Sequence, residues 1–259
     1  MADGRTGYFL VKSADADGRV YSLATGFVAV PHHYFGLADE LARAGWTVVI
    51  PEITSPLPGE DPSKTIAYKC DRLRMGLEDL GLSMTIEEFQ SGGHSLGGVC
   101  QAGLLEDAPY ELAGMDFMNT AGFGEVDNIA LMVLKQIIGC QLHEVTTLLR
   151  HPSHFVSFDA LRAELKILLD KDNRRHELNE IGELSHYLPR YVALAKSLGV
   201  PTRFLISLQD NVVRPGPTIE ALGEENVVSI HPGADHFAPN THGRRVARLL
   251  NQHKILALV

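Results

Sequence analysis

The sequence has few cysteines and a shortage of positive charge, and each shortage excludes a class of protein. Its three cysteines, Cys70, Cys100 and Cys140, are widely spaced among 259 residues, which favours free thiols in a reducing compartment over a disulfide framework. With 23 Lys and Arg against 32 Asp and Glu, the net charge of -9 disfavours nucleic acid or an anionic membrane surface as the main partner. The expected partner is a small-molecule substrate.

Long apolar runs are missing as well. No run is long enough to span a bilayer, and the first residues lack the apolar core of a signal peptide, so we expect a cytoplasmic protein. The composition, 45% hydrophobic and 21% charged, is typical of a globular chain with a large core. It leaves the oligomeric state open.

Short apolar strands alternate with amphipathic helices, a pattern typical of an α/β protein with a doubly wound, mostly parallel sheet. The first two strands flank the turn-rich segment Asp15–Gly18, which predicts an antiparallel hairpin. The predicted strands are Tyr8–Lys12, Val20–Ala24, Gly26–Val30, Trp46–Ile50, Thr85–Ser91, Leu112–Met118, Pro201–Leu208 and Asn226–Ile230. Helices are predicted near residues 37–45, 65–80, 98–105 and 246–250.

Only helical patterning is visible between residues 123 and 199. This stretch is too long and too apolar for a loop, so we interpret it as a helical cap inserted into a core domain of residues 1–122 and 200–259. The alternative is a set of scaffold helices packed on the core.

One glycine-rich stretch, Gly92–Gly98, contains the pattern Gly-x-Ser-x-Gly at Gly93, Ser95 and Gly97. In a sharp turn from a strand to a helix, the serine backbone is strained and side chains two positions away would collide with it. An apolar helical pattern follows, as such a turn requires, although the preceding strand is unusually polar for a buried one. The alternative is an ordinary glycine-rich turn.

Two other reactive side chains also follow predicted strands. Asp210 comes directly after one strand and His236 shortly after the next. Because the carboxyl ends of parallel strands meet at one edge of the sheet, Ser95, Asp210 and His236 are expected to converge there. A serine hydroxyl needs a base to take its proton, and that base needs a carboxylate to hold its tautomer. The three residues therefore indicate nucleophilic catalysis.

These loops resemble those of the α/β-hydrolase superfamily, in which the nucleophile, the acid and the histidine follow one another in this order. The similar segments are the serine turn Gly93–Gly98, the acid loop Gln209–Pro215, the histidine loop Gly233–Phe237 and the strand with its acidic turn, Val48–Glu52. The resemblance implies an α/β-hydrolase fold with Ser95 as nucleophile, His236 as base and Asp210 as acid. It implies no cofactor and no metal.

The resemblance also implies an oxyanion hole made of two backbone N–H groups. The first belongs to Leu96, the residue after the serine. The second comes from the loop Pro31–Gly36, where this chain has His33 in the place of the family's glycine. Tyr34 N–H is then the expected donor, with His33 N–H as the fallback.

Other residues compete for the roles of acid and base. Glu125 and Asp127 are alternatives to Asp210, because some members of the superfamily carry the acid after the preceding strand. His231 and His242 are alternatives to the histidine at 236, but neither has the family setting.

Four neighbouring side chains are expected to have no catalytic part. Asp235 is expected to be solvated, and His94 to be a packed turn residue. The adjacent His32 and His33 would diverge in a loop, and no further ligands have suitable spacing, so no metal site is expected.

The leading hypothesis is a serine hydrolase that cleaves a carboxylic ester of a fairly hydrophobic small molecule through an acyl-enzyme. The same three residues also serve thioesterases, lactonases, hydrolases of carbon-carbon bonds and acyltransferases. A third class is a ligand-binding protein on the same fold without turnover, which would not require all three residues.

Overall fold

The computed structural model describes residues 7–26, 29, 31–51, 65–80, 89–106, 112–120, 122–123, 188–210 and 212–252. The predicted cap lies outside these ranges apart from residues 123 and 188–199, and so do Glu125 and Asp127. The division into core and cap therefore stays a prediction.

The described strands form one seven-stranded sheet. They are β1 Tyr8–Lys12, β2 Val20–Ala24, β3 Thr47–Pro51, β4 Phe89–His94, β5 Leu112–Met118, β6 Thr202–Ile206 and β7 Val227–Ser229. Their order is β1-β3-β2-β4-β5-β6-β7, with β1 antiparallel to β3 and every other described pairing parallel. The predicted mostly parallel sheet is confirmed.

Helices cover both faces of this sheet. They are α1 Phe35–Arg43, α2 Thr65–Asp79, α3 Leu96–Ala102, α4 (residues 188–198), α5 Pro215–Leu222, α6 Ala238–Thr241 and α7 Gly243–Gln252. Alternate side chains of β3 point to opposite faces: Val48 and Ile50 pack with α1 and α7, whereas Val49 packs with α2 and α4. The sheet is thus doubly wound. None of the helices within the described ranges is long and apolar enough to cross a bilayer.

The α4 helix lies at the carboxyl end of the predicted cap range. Its residues Leu188, Tyr191 and Ala195 are buried in the same hydrophobic cluster as Phe117 of β5 and Phe204 of β6. This helix therefore packs directly on the sheet.

The predicted hairpin of the first two strands is wrong. Both strands have the predicted bounds, but β1 pairs with β3, from Tyr8 opposite Pro51 to Lys12 opposite Thr47. The connection crosses β3, and Asp17 N–H donates to Gly45 O in the turn before that strand (3.0 Å). The fully buried β2 takes a central place with parallel strands on both sides.

The predicted strand Gly26–Val30 is also wrong. Gly26 and Ala29 belong to no strand, and Ala29 N–H donates to the carbonyl of Gly26 at 3.1 Å, a local bond that a strand does not make. The chain leaves the sheet after Ala24, and a short 3-10 helix, Pro31–Tyr34, leads into α1. The loop after β2 therefore starts earlier than its apolar residues predict.

An ion pair is buried between the sheet and α7. Arg203 Nε donates to Asp116 Oδ1 at 2.6 Å, and the hydroxyl of Tyr21 donates to Asp116 Oδ2 at 3.0 Å. Arg203 Nη1 also donates to the carbonyls of Leu249 and Leu250 in the last turns of α7 (3.1 and 3.0 Å). One cation thus connects β5, β6 and α7.

Candidate active site

Ser95 occupies a sharp turn between β4 and α3. Its φ of 54° and ψ of -122° lie where a residue with a side chain is strained. A Cβ at Gly93 would lie 2.5 Å from the carbonyl carbon of Gly97, and one at Gly97 would collide with the carbonyl oxygens of Ala24 and Thr25. Both glycines are required for close approach, but the collisions differ from the predicted ones: Gly93 allows contact with the start of α3, and Gly97 allows contact with the end of β2, rather than with the serine backbone.

The polar character of β4 has a structural cause. The hydroxyl of Ser91 donates to Gln101 Oε1 on α3 at 2.8 Å, and Gln101 Nε2 donates to the carbonyl of Asp116 at 2.6 Å. The amide of Gln90 donates to the Asp116 carboxylate. Because each of these buried polar groups has a partner, a polar strand costs little at the centre of the sheet.

Asp210 and His236 form a buried pair at the carboxyl edge of the sheet. His236 Nδ1 lies 2.8 Å from Asp210 Oδ2. The other oxygen, Asp210 Oδ1, accepts the backbone N–H groups of Val212 and Val213, both at 2.8 Å. A carboxylate only accepts, so His236 Nδ1 carries a hydrogen, and in the neutral form of the ring Nε2 has a lone pair.

His236 also lies beside the serine turn. Its ring packs against that of His94, the residue before Ser95, with the centroids 4.8 Å apart. His236 Nε2 is buried and has no hydrogen-bond partner within the described ranges. The structure thus brings all three predicted residues to one edge of the sheet.

His94 has a larger part in this site than the sequence predicts. Its Nδ1 lies 2.6 Å from the hydroxyl of Tyr34, and its Nε2 lies 2.8 Å from the carbonyl oxygen of His236. Burial, together with the neighbouring His236, holds the pKa of His94 well below its usual 6.5. His94 is therefore a neutral ring with both nitrogens in hydrogen bonds.

Asn119, the residue after β5, was missed altogether. Its backbone has a φ of 47°, its Oδ1 accepts Ser207 N–H at 2.8 Å, and its Nδ2 lies 3.0 Å from the carbonyl of His236. Asparagine is among the residues that best tolerate a positive φ. Its place directly after a predicted strand, at the edge where the reactive residues gather, was the available signal.

The loop after β2 borders Ser95 through Gly26. A Cβ on Gly26 would lie 3.2 Å from both Ser95 Cβ and His94 Nδ1. Leu96 is the first residue of α3, and Tyr34 is fully buried at the end of the 3-10 helix. The assignment of Leu96 and Tyr34, or of His33 as fallback, as backbone donors stays a prediction.

The competing side chains within the described ranges lie apart from this pair. His231 and His242 are exposed and stack on each other with centroids 6.0 Å apart, bonded to Gly233 N–H and to the hydroxyl of Thr241. Asp235 is exposed, and its Oδ1 accepts Phe237 N–H at 3.0 Å within its own turn. The side chain of His32 lies outside the described part.

No family model and no curated protein matches the sequence. Solved structures do match. A lipase-esterase related protein from Clostridium acetobutylicum has a TM-score of 0.65 at 15% identity, with 96% of this chain and 99% of that chain covered. An enol-lactonase from Burkholderia xenovorans has a TM-score of 0.65 at 13% identity, covering 95% and 96%. A hydrolase from Pseudomonas aeruginosa has a TM-score of 0.62 at 17% identity, covering 95% and 94%.

At identities this low, the structural likeness is evidence for a shared fold alone. The three matches each cover 95% or 96% of this chain, so the likeness extends over the whole seven-stranded sheet and its helices. The chain therefore has the fold of the α/β-hydrolase superfamily.

Proposed function

We propose that the protein is a serine hydrolase that cleaves carboxylic esters through an acyl-enzyme. One observation carries the proposal: in the buried His236–Asp210 pair, His236 Nε2 has no partner in the described ranges, and the His236 ring packs on His94, the residue before a serine held at positive φ. A packing role for these residues would require neither the strained serine nor the unpartnered nitrogen.

In the first half of the reaction, Ser95 Oγ attacks the ester carbonyl carbon while His236 Nε2 takes the hydroxyl proton. The imidazolium then gives that proton to the departing alcohol oxygen, and the acyl group stays on the serine. In the second half, water attacks the acyl carbon while His236 Nε2 takes a proton from it; the bond from the acyl carbon to Ser95 Oγ then breaks, His236 returns the proton to Oγ, and the carboxylic acid is released.

Asp210 acts by orienting the base and stabilising its charged form. Its Oδ2 accepts Nδ1–H of His236, and its Oδ1 is held by Val212 N–H and Val213 N–H. The carboxylate can rotate only by giving up two backbone hydrogen bonds. The imidazole is therefore kept in the tautomer whose Nε2 can accept a proton.

The oxyanion of the tetrahedral intermediate needs preorganised donors. Leu96 N–H is the first, because it follows the serine at the start of a helix, where backbone N–H groups have no intrahelical acceptor. The second comes from the loop that borders the serine at Gly26, with Tyr34 N–H as the expected donor.

The expected substrate is a small, fairly hydrophobic ester, on the hypothesis of an apolar cap over residues 123–199. A lactone is a cyclic ester and needs the same steps, and one structural neighbour is an enol-lactonase. Lactones therefore belong in the first substrate panel.

The test is hydrolysis of p-nitrophenyl esters, from acetate to long chains, and of simple lactones by the wild type and Ser95→Ala. Ser22→Ala is the matched control, because Ser22 is equally an interior serine and its hydroxyl has no partner within the described ranges. We expect Ser95→Ala to abolish turnover and labelling by a fluorophosphonate, and Ser22→Ala to retain both. Turnover that persists in Ser95→Ala would refute the proposal.

A further inference from the structure

The backbone carbonyl of His236 is held by two side chains from other parts of the sheet. His94 Nε2, at the end of β4, lies 2.8 Å from this oxygen, and Asn119 Nδ2, after β5, lies 3.0 Å from it. A carbonyl oxygen has two lone pairs and can accept from both side chains, although Asn119 Nδ2 also lies 3.0 Å from Ser207 Oγ and 3.2 Å from the carbonyl of Asp235. These contacts hold the histidine loop in place at His236, the proposed base.

The direction of the hydrogen bonds follows from these partners. A carbonyl only accepts, so His94 Nε2 carries the hydrogen, and the neutral ring has a bare Nδ1. That nitrogen accepts the hydroxyl hydrogen of Tyr34 at 2.6 Å, and the Tyr34 oxygen in turn accepts Gly26 N–H at 3.0 Å. Tyr34 and His94, the two side chains in this series of hydrogen bonds, each accept at one end and donate at the other.

This series of hydrogen bonds joins the two loops that border the Ser95 turn. The series begins at Gly26, where an added Cβ would lie 3.2 Å from Ser95 Cβ, and it ends at the backbone carbonyl of His236. A shift of either loop would break a bond to an interior ring. Buried hydrogen bonds of this kind are costly to leave unmade, so the two loops have a fixed relation.

We propose that His94 and Tyr34 are positioning residues that couple the loop at Gly26 to His236 and so fix the base relative to Ser95. This inference rests on the proposed function for its kinetic consequence. Neither side chain touches the reacting atoms; both side chains act through the backbone groups that they hold, and this role is separate from that of Tyr34 N–H in the oxyanion hole.

The gentlest test is Tyr34→Phe, which removes only the hydroxyl. Its control is Tyr21→Phe, because Tyr21 is as fully buried and its hydroxyl bonds to Asp116 in the core. We expect kcat on the best ester to fall about 10- to 100-fold in Tyr34→Phe, with KM within about twofold, because two hydrogen bonds are lost at once. Tyr21→Phe should lower the melting temperature but leave kcat unchanged.

Variants of His94 supply a rescue. Gln in this place keeps an N–H donor for the His236 carbonyl and an oxygen acceptor for the Tyr34 hydroxyl, whereas Leu keeps neither. We expect His94→Gln to retain about tenfold more kcat than His94→Leu. Equal kcat in the two variants, or equal kcat in the two tyrosine variants, would overturn the inference.

A readout other than turnover separates this inference from the proposed function. In the ¹⁵N NMR spectrum of the histidines, His94 should be neutral with its hydrogen on Nε2, and the Nδ1–H signal of His236 should shift in Tyr34→Phe but not in Tyr21→Phe. If Ser95→Ala keeps activity, the proposed function fails whatever this spectrum shows. If Ser95→Ala is inactive but the His236 signal is the same in both tyrosine variants, only the coupling fails.

Discussion

The replacement Asp210→Asn gives the sharpest test of how the candidate site works. The two oxygens of Asp210 are not equivalent, because Oδ1 accepts two backbone N–H groups and Oδ2 faces His236 Nδ1. An asparagine has one oxygen and one NH₂ group. Its oxygen has to face Val212 N–H and Val213 N–H, which turns the NH₂ group toward His236.

The consequence is the wrong tautomer of the base. An NH₂ group in that place donates to His236 Nδ1, so the ring hydrogen moves to Nε2, the atom that has to accept the proton of Ser95. Loss of the correct tautomer in a Ser-His-Asp site costs about 10,000-fold in kcat. This factor corresponds to about 5 kcal/mol of lost transition-state stabilisation.

The assay is kcat and KM on the best p-nitrophenyl ester, with melting temperatures to show that the variants fold. The matched control is Asp235→Asn, since Asp235 is exposed and an asparagine oxygen still accepts Phe237 N–H. We expect the control to stay within about twofold of the wild type. A folded Asp210→Asn variant that loses less than about tenfold in kcat would refute this account of the base.

Two further predictions concern stability, both measured by urea unfolding. Asp116→Asn should decrease the free energy of unfolding by about 3–5 kcal/mol, because Arg203 then stays buried beside a neutral amide. Asp17→Asn, which changes an exposed ion pair, should decrease it much less, and equal decreases would contradict the argument. Burial and the neighbouring His236 hold the pKa of His94 well below 6.5. Below about pH 6.5 the unfolded chain therefore binds a proton on His94 that the folded chain does not, so the free energy of unfolding decreases as the pH is lowered. On acidification from about pH 7 to about pH 5, the free energy of unfolding of His94→Gln should therefore decrease less than that of the wild type or of His231→Gln. The difference in slope should be at most about 1.4 kcal/mol per pH unit, and identical slopes would contradict the argument.

Features that depend on neighbouring residues were readable from the sequence. Strand β5 has the predicted bounds, and the Ser95 turn lies where the glycine spacing places it. The demand at Gly93 is local, because a Cβ there would collide with Gly97, whereas the demand at Gly97 comes from the distant end of β2. Asp210 and His236 were found because each follows a strand, and parallel strands bring such residues to one edge.

Other features depend on which distant segments meet, and only the tertiary structure decided them. Strand β1 pairs with β3 rather than β2, a choice that the local turn residues do not contain. His94 and Asn119 bond to the carbonyl of His236 across 142 and 117 positions of sequence. The residues around a single histidine or asparagine do not reveal its distant partners. His94 and Asn119 meet the carbonyl of His236 because a buried carbonyl needs hydrogen-bond donors, and only the fold brings these two side chains to it.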